Sequence, residues 1–339
     1  MSLAETARPK VLLLGEIALA HSAWASINNI ADITTPKSAN RNAFLAESSS
    51  GTFDGCVAAY RTFQSVEVTG KIDAELLDAL PRSLRFICHM GAGYDQVDVP
   101  ACTARGIRVS NTPSAVDDAT ADMAIFLILG ALRNVAVAMK ALRAGQFRGQ
   151  PPPAMGHDPR DKVLGILGMG GIGRNMARKA LAFGMRIRYH NRTRLEPGVE
   201  REIEAEYVDF ETLLAESDVL SLNLPLNPNT RHIISTNEFA LMKRGITIVN
   251  TARGAVMDEA ALVEALNSGQ VSSAGLDVYE EEPEIHPGLL ANERCLLVPH
   301  LGTYTVETET KMEEWAISNV RAAIKTGALR SIVPEQRDM

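Results

Sequence analysis

The stretch Val163-Leu-Gly-Ile-Leu167-Gly168-Met169-Gly170-Gly171-Ile172-Gly173-Arg174 decides how this chain folds. Its apolar opening reads as a buried strand, and the glycine-patterned loop opens a helix predicted over Arg174 to Phe183. Each glycine has a separate task in that context. Gly168 permits the tight turn, Gly170 lets the backbone approach a pyrophosphate, and Gly173 lets helix and strand pack closely. The helix N-terminus then offers free N–H groups to the anion, and Met169, Gly171 and Ile172 complete the expected cofactor loop. A tight strand-to-helix turn without a ligand is the plainer alternative, and the flanking strand and helix weigh against it.

Downstream of the loop, apolar runs at Met185–His190, Val219–Leu224, Ile246–Asn250, Ser272–Val278 and Cys295–Val298 alternate with helical segments. With Lys162–Leu167 they make six strands, the count of a dinucleotide-binding domain. About 20 residues beyond the glycine loop, such a domain normally places Asp or Glu on the ribose 2′-hydroxyl. Here the chain reads His190-Asn191-Arg192-Thr193-Arg194. Neutral Asn191 removes a carboxylate that would repel a 2′-phosphate, and Arg192, Thr193 and Arg194 supply donors for one. NADPH is therefore expected in preference to NADH, against the alternative of a merely solvated basic turn.

Upstream, Lys10–Leu14, Val57–Tyr60, Leu84–Cys88 and Ile107–Val109 are predicted strands of a first α/β unit. A long helix is predicted over Ala115 to Ala144, acidic at its start and basic at its end as the helix dipole favours. The last predicted helix, Thr303 to Thr326, places Met312, Trp315, Ala316 and Val320 on one face and is expected to return to the first unit. The length of 339 residues makes two domains the first expectation, since a single core stops growing near roughly 250–300 residues. The boundaries expected are 1–112 with 303–339, and 113–302.

The composition narrows the partners. Apolar residues make up 46% and charged residues 22%, with 34 Lys+Arg against 41 Asp+Glu, net -7, and no block of like charge. A small solute is expected, rather than nucleic acid or an anionic membrane. Val11–Ala20 and Met123–Met139 are too short or too interrupted to span a bilayer, which takes ~18–20 apolar residues. Cys56, Cys88, Cys102 and Cys295 stand far apart, as reduced thiols of a cytoplasmic protein do. The histidines show no metal-ligand spacing, so no metal is expected.

Three segments at predicted carboxyl ends of strands share one chemistry: Asn250-Thr251-Ala252-Arg253-Gly254, Asp277-Val-Tyr-Glu-Glu-Glu282-Pro283 and Pro299-His300-Leu-Gly302. Reducing a 2-oxo acid requires a cation for the carboxylate, a proton donor for the carbonyl oxygen, and a group that keeps the donor protonated. Arg253, His300 and Glu282 are the candidates. Each taken singly is unremarkable; their joint placement at one sheet edge is the signal.

These motifs, with Gly91-Ala92-Gly93-Tyr-Asp95-Gln-Val-Asp98 and Ser110-Asn-Thr-Pro113, resemble the D-isomer-specific 2-hydroxyacid dehydrogenases over nearly the whole chain. Within that family, Gly156-His-Asp-Pro-Arg-Asp161 is most similar to the fungal glyoxylate/hydroxypyruvate reductase and D-mandelate dehydrogenase group. The resemblance implies two Rossmann-like or flavodoxin-like parallel-sheet domains separated by an active-site cleft, with hinges near Asn111–Pro113 and Gly302–Thr303. It also implies a homodimer built on the helix Ala119–Met139 and the loop Gly145–Pro159.

By the same resemblance, Arg253 binds the substrate carboxylate and polarises the carbonyl, His300 is the acid in reduction, and Glu282 pairs with it. The amides of Ala92 and Gly93 take the other side of the carboxylate, and Asp277 meets the nicotinamide carboxamide. Thr251, Ala252 and Thr120 line the nicotinamide side, and Pro225 and Thr230 the adenosine side. Selection of the substrate side chain is expected from loops of the first domain around Tyr60-Arg61-Thr62-Phe63 and from residues near the dimer partner. Asp122 stands where Glu is common, and Asp161 where Gly is common. The substrate implied is glyoxylate, hydroxypyruvate or a bulkier 2-oxo acid such as an aryl glyoxylate. A non-enzymatic, dinucleotide-sensing corepressor-like protein uses the same fold, but the chain offers neither a Ser/Pro-rich tail nor a basic patch in support of it.

Overall fold

The structure, a computed structural model, describes residues 8–338. The chain through Val116, joined by the segment from Thr305 onward, forms one compact unit, and Asp117–Tyr304 forms the other.

The smaller unit holds β1 (Lys10–Leu14), β2 (Asp32–Thr34), β3 (Cys56–Thr62), β4 (Phe86–Met90) and β5 (Arg108–Ser110), paired in the order β2-β1-β3-β4-β5. Every pair is parallel. This doubly wound order reverses between β1 and β3, and ligands bind at the carboxyl ends beside such a reversal. Four of the strands fall within two residues of their predicted starts. The exception, β2, has three residues with only Ile33 to carry a pattern, too few for alternation to register. Helices on the sheet begin where Asn40, Asp73 and Asp98 accept amide hydrogens from Ala43, Leu76 and Ala101.

The terminal helix does return to this unit. It spans Val306–Thr326, capped by Thr305 rather than starting at Thr303, and lies on β3 and β4. Met312, Ala316 and Val320 are buried, a row of i, i+4 steps. Trp315 corrects the prediction: it is 37% exposed and donates Nε1–H to Ser331 Oγ at 2.9 Å. Glu313 is the anchor the sequence did not disclose. Its buried carboxylate accepts the amides of Ala18, Leu19 and Ala20 at 2.7, 2.9 and 2.6 Å.

The larger unit holds β6 (Val163–Leu167), β7 (Arg186–His190), β8 (Ala205–Tyr207), β9 (Val219–Leu222), β10 (Ile246–Asn250), β11 (Val271–Leu276) and β12 (Cys295–Leu297). Their order is β12-β11-β10-β9-β6-β7-β8, all parallel. The seventh strand, β8, is not predicted from the sequence because Ala205-Glu206-Tyr207 has no buried residue and little apolar signal. The order reverses between β6 and β9, which puts the glycine loop after β6 at the switch point.

The single helix expected over Ala115–Ala144 is two, Asp117–Leu132 and Val135–Arg143, bent by 74°. Asn134 makes the break, with a left-handed φ of 52° that Asn tolerates better than most residues. Among the described residues no single helix is long and apolar enough to cross a membrane. Ala121, Ala124, Leu127 and Ile128 are instead fully buried in this unit's core, against helix Gly171–Ala182 and strands β10 and β11. Asp161 also occupies a left-handed conformation (φ 64°), which accounts for the glycine common at that position.

Candidate active site

The glycine loop has the geometry its sequence requires. Gly168 has φ of 101°, and a Cβ there would lie 2.7 Å from the Asn223 carbonyl oxygen, so a side chain is excluded twice over. The helix begins at Gly171, three residues before the prediction, and a Cβ on Gly170 would meet open space. The amides of Gly171, Ile172 and Gly173 belong to the first turn, where no helical acceptor exists, and they form an anion cradle. Met169 is buried beneath the turn, and its amide donates to Asn191 Oδ1 at 2.7 Å. Asn191 therefore links the end of β7 to the glycine loop.

Arg192, Thr193 and Arg194 are exposed. The two arginines differ in their engagements. Arg194 grips Glu200 with two hydrogen bonds of 2.8 Å and lies 5.7 Å from the Tyr207 ring centre. Glu200 also accepts from Tyr189 Oη at 2.7 Å, and the Arg194 and Tyr189 bonds together hold its carboxyl down at about 2. Arg192 pairs with no carboxylate among the described residues. After β9, on the other side of β6, Thr230 Oγ1 donates to the Pro225 carbonyl at 2.6 Å and accepts from the Asn227 amide at 2.9 Å, closing one turn.

The three catalytic candidates gather at the carboxyl ends of β10, β11 and β12. His300 Nδ1 meets Glu282 Oε2 at 2.8 Å, with side chains 34% and 27% exposed. Glu282 Oε1 accepts the Tyr279 amide at 2.9 Å, so the carboxylate is fixed at both oxygens. Burial pushes the Glu282 carboxyl upward, but the hydrogen bond and charge of His300, the Tyr279 amide and the charge of Arg253 together bring it below its ordinary value.

His300 itself has φ of 54°, a left-handed residue held because its amide donates to the Asp277 carbonyl at 2.8 Å. Asp277 Oδ1 and Oδ2 accept the amides of Leu301 and Gly302, at 2.5 and 2.8 Å. This buried carboxylate is thus the scaffold of the histidine turn, and burial raises its pKa despite those amides. Thr120 packs beside Gly302 in the same unit.

Arg253 follows β10, where Asn250 braces the turn. Its Nδ2 donates to the Arg253 carbonyl at 2.9 Å and its Oδ1 accepts the Ala252 amide at 3.0 Å. Thr251 is buried, with its hydroxyl unpartnered among the described residues. At Gly254 a Cβ would lie 1.9 Å from the Tyr279 carbonyl carbon, so the arginine turn and the Glu282 loop interlock backbone to backbone. A further clamp was not read from sequence. Glu280 accepts from His232 Nε2, and its amide donates to Glu259 Oε1 at 2.9 Å. It joins residues 48 and 21 positions apart, which no short motif reveals.

In the smaller unit, the turn after β4 has its carbonyls committed. Gly91 O accepts the Thr112 amide at 2.9 Å, and Ala92 O accepts Asn111 Nδ2 at 2.8 Å. In a trans peptide the following N–H points the opposite way, so the amides of Ala92 and Gly93 face away from these partners, available to an anion. Tyr60 and Arg61 are fully buried strand residues of β3, which corrects their expected place in side-chain selection. Phe63, beyond the strand, is only partly buried.

The family described as "D-isomer specific 2-hydroxyacid dehydrogenase, NAD binding domain" matches residues 125–302. The chain belongs to that family. It is 54% identical over 331 residues to 4-methyl-2-oxopentanoate reductase A of Aspergillus oryzae, covering 98% of this chain and 99% of the relative. The crystal structure of a glyoxylate reductase from Paecilomyes thermophila superposes with a TM-score of 0.94 at 52% identity, covering 98% and 100% of the two chains. The holo D-mandelate dehydrogenase of Rhodotorula graminis gives 0.91 at 32% identity, over 96% and 98%. As a member of this family, the protein is an oxidoreductase whose larger unit is built for a nicotinamide dinucleotide, and the cradle at Gly170–Gly173 fits that group.

Proposed function

We propose that this dehydrogenase reduces a 2-oxo acid to the D-2-hydroxy acid, with NADPH preferred over NADH. The observation that carries the reading is the His300–Glu282 pair at 2.8 Å, with Arg253 close enough for its charge to act on the same carboxylate. Glu282, ionised above its lowered pKa, holds the ring of its partner in one orientation through Nδ1. With Nδ1 held by Glu282, His300 delivers its proton from Nε2 to the substrate carbonyl oxygen. Arg253 supplies charge-assisted donors to the carboxylate, as do the amides of Ala92 and Gly93. When bound, the reduced nicotinamide supplies the hydride. Thr251, Ala252 and Thr120 flank it, and Asp277, which has lone pairs beyond those given to Leu301 and Gly302, accepts from its carboxamide.

The relatives' substrates, 4-methyl-2-oxopentanoate, glyoxylate and mandelate, share only the 2-oxo or 2-hydroxy carboxylate. That shared piece is what the candidate residues recognise. The test is turnover of glyoxylate, hydroxypyruvate, 4-methyl-2-oxopentanoate and phenylglyoxylate by the wild type and by His300→Ala. The variant should lose about 10²–10⁴-fold in kcat while its dinucleotide dissociation constant stays within about twofold. Wild-type turnover in His300→Ala refutes the assignment.

The same reading extends to a homodimer and to the cytoplasm. Phe126, Met139, Leu142, Phe147 and Met155 are 51, 45, 57, 81 and 94% exposed, an apolar series suited to a second copy of this unit. Four free, buried cysteines suit a reducing compartment.

A further inference from the structure

The smaller unit buries a cation that the proposed chemistry does not use. Arg61, the penultimate residue of β3, has no exposed surface, and neither does His89 on the neighbouring β4. Arg61 Nη1 lies 3.1 Å from His89 Nδ1, and Nη2 donates to Gln96 Oε1 at 2.5 Å. Arg61 Nε, equally buried, has no partner among the described residues. Burial lowers the guanidinium to about 10, against the opposing charge of Asp95, which leaves it charged at neutral pH. Enclosing a cation with one donor unmet is costly, and such costs persist where the charge is put to use.

The hydrogen-bond roles are fixed by elimination. A guanidinium has donors only, so His89 Nδ1 must accept, and the ring proton sits on Nε2. That Nε2–H donates to the Gly93 carbonyl at 2.9 Å. The chain therefore runs from Arg61 through His89 into the Gly91–Gly93 turn. Gly91 is part of the device: a Cβ there would fall 2.6 Å from His89 Nε2, so only glycine lets the ring reach across. With Thr112 on Gly91 O, Asn111 on Ala92 O and His89 on Gly93 O, three successive carbonyls are pinned. This fixes the direction of the intervening amides.

We propose that Arg61, acting through His89, is a positioning residue for the substrate carboxylate: it locks the Gly91–Gly93 turn with its amides outward and sets a buried positive charge behind them. The inference rests on the reading that the Ala92 and Gly93 amides receive that carboxylate. Charge and pre-orientation both act on an anion arriving at the turn, whereas the dinucleotide cradle lies in the other unit.

The test compares Arg61→Met, His89→Leu, His89→Gln and Arg253→Ala in the full-length enzyme, by glyoxylate KM and kcat, by the inhibition constant of oxalate as a carboxylate probe, and by NADPH dissociation constant. Arg61→Met and His89→Leu should raise the glyoxylate KM and the oxalate inhibition constant in parallel, by about tenfold, with NADPH affinity within about twofold of wild type. His89→Gln keeps an N–H that reaches the Gly93 carbonyl and should recover most of the loss. That rescue is not expected of a residue that only fills the core. Equal constants in His89→Leu and wild type, or equal losses in His89→Leu and His89→Gln, overturn the proposal even where Arg61→Met does not fold. If Arg253→Ala raises the glyoxylate KM and the smaller-unit variants do not, this inference alone fails. If none of them does, the carboxylate reading fails with it.

Discussion

Replacing Arg192 by Ala is expected to discriminate between the two cofactors more sharply than any other change in the 191–194 turn. Arg194 is already engaged: two bonds of 2.8 Å tie it to Glu200, whose carboxylate also holds Tyr189 Oη, while the Leu195 amide donates to that same hydroxyl at 2.9 Å. These bonds staple the turn, so Arg194→Ala strands a buried carboxylate and should weaken both cofactors alike. Arg192 is exposed and outside that network, one residue beyond the Asn191 that bonds the glycine loop. A 2′-phosphate placed beside Asn191 meets the guanidinium of Arg192 as its first cationic donor. A charge-assisted hydrogen bond is worth about 1.5–3 kcal/mol, and solvent exposure places this one at the lower end, about tenfold in affinity. The assay is kcat/KM for NADPH and for NADH, in wild type and Arg192→Ala, at fixed ionic strength because a phosphate contact at the surface is screened by salt. The expected result is a wild-type preference for NADPH, an NADPH efficiency about tenfold lower in the variant, and NADH unchanged. Equal efficiencies in the wild type, or a loss common to both cofactors, would refute the reasoning.

Glu282→Gln replaces the carboxylate that holds His300 Nδ1 with a neutral amide, so kcat for reduction should fall while the NADPH dissociation constant stays within about twofold. In the wild type, the Glu282 carboxyl lies below its ordinary 4.5 in the folded state, so its contribution to stability is full above that pH and is lost as pH falls through the folded value. The stability difference between wild type and Glu282→Gln, followed by urea midpoint, should shrink only on that acid side. Glu313→Ala deprives three amides of their acceptor and should cost about 1–3 kcal/mol, the penalty of the one buried donor, Ala20, since Ala18 and Leu19 can turn to water; an unchanged urea midpoint contradicts the anchoring role. Sedimentation at micromolar concentration should show a dimer, and Leu142→Glu with Phe147→Glu should shift it toward monomer.

What could be read in the sequence, and what could not, divides by range. Strands β6 and β10 were legible because their five residues are apolar-rich, β7 because Ile187 and Tyr189 alternate with polar Arg186, Arg188 and His190, and the glycine loop because turn, cradle and helix start lie within six consecutive positions. Strands β2 and β8 were not, since Asp32-Ile33-Thr34 and Ala205-Glu206-Tyr207 carry little apolar signal, whereas the equally short β5 and β12 adjoin Ile107 and Val298, which lengthen their apolar runs. The break at Asn134 is a single left-handed residue inside an apolar run, invisible to a pattern that continues on either side. Arg253, Glu282 and His300 stand out as candidates in the sequence because each follows a strand within a few residues.

Their supports were hidden by distance along the chain. Asp277 holds the amides of residues 24 and 25 positions away, His89 lies 28 positions from Arg61, and Glu313 reaches back 293 to 295 positions. Such contacts exist only once parallel strands are aligned: the β3–β4 register that pairs Arg61 with His89 is a product of folding, not of spacing. The same alignment explains how a strained residue can be held in one direction. His300 sits at a φ that costs most side chains energy, and two carboxylate oxygens, a carbonyl and a glutamate hold it there. The rigid edge of the sheet offsets that strain, and the ring gains a direction that a relaxed turn would not fix.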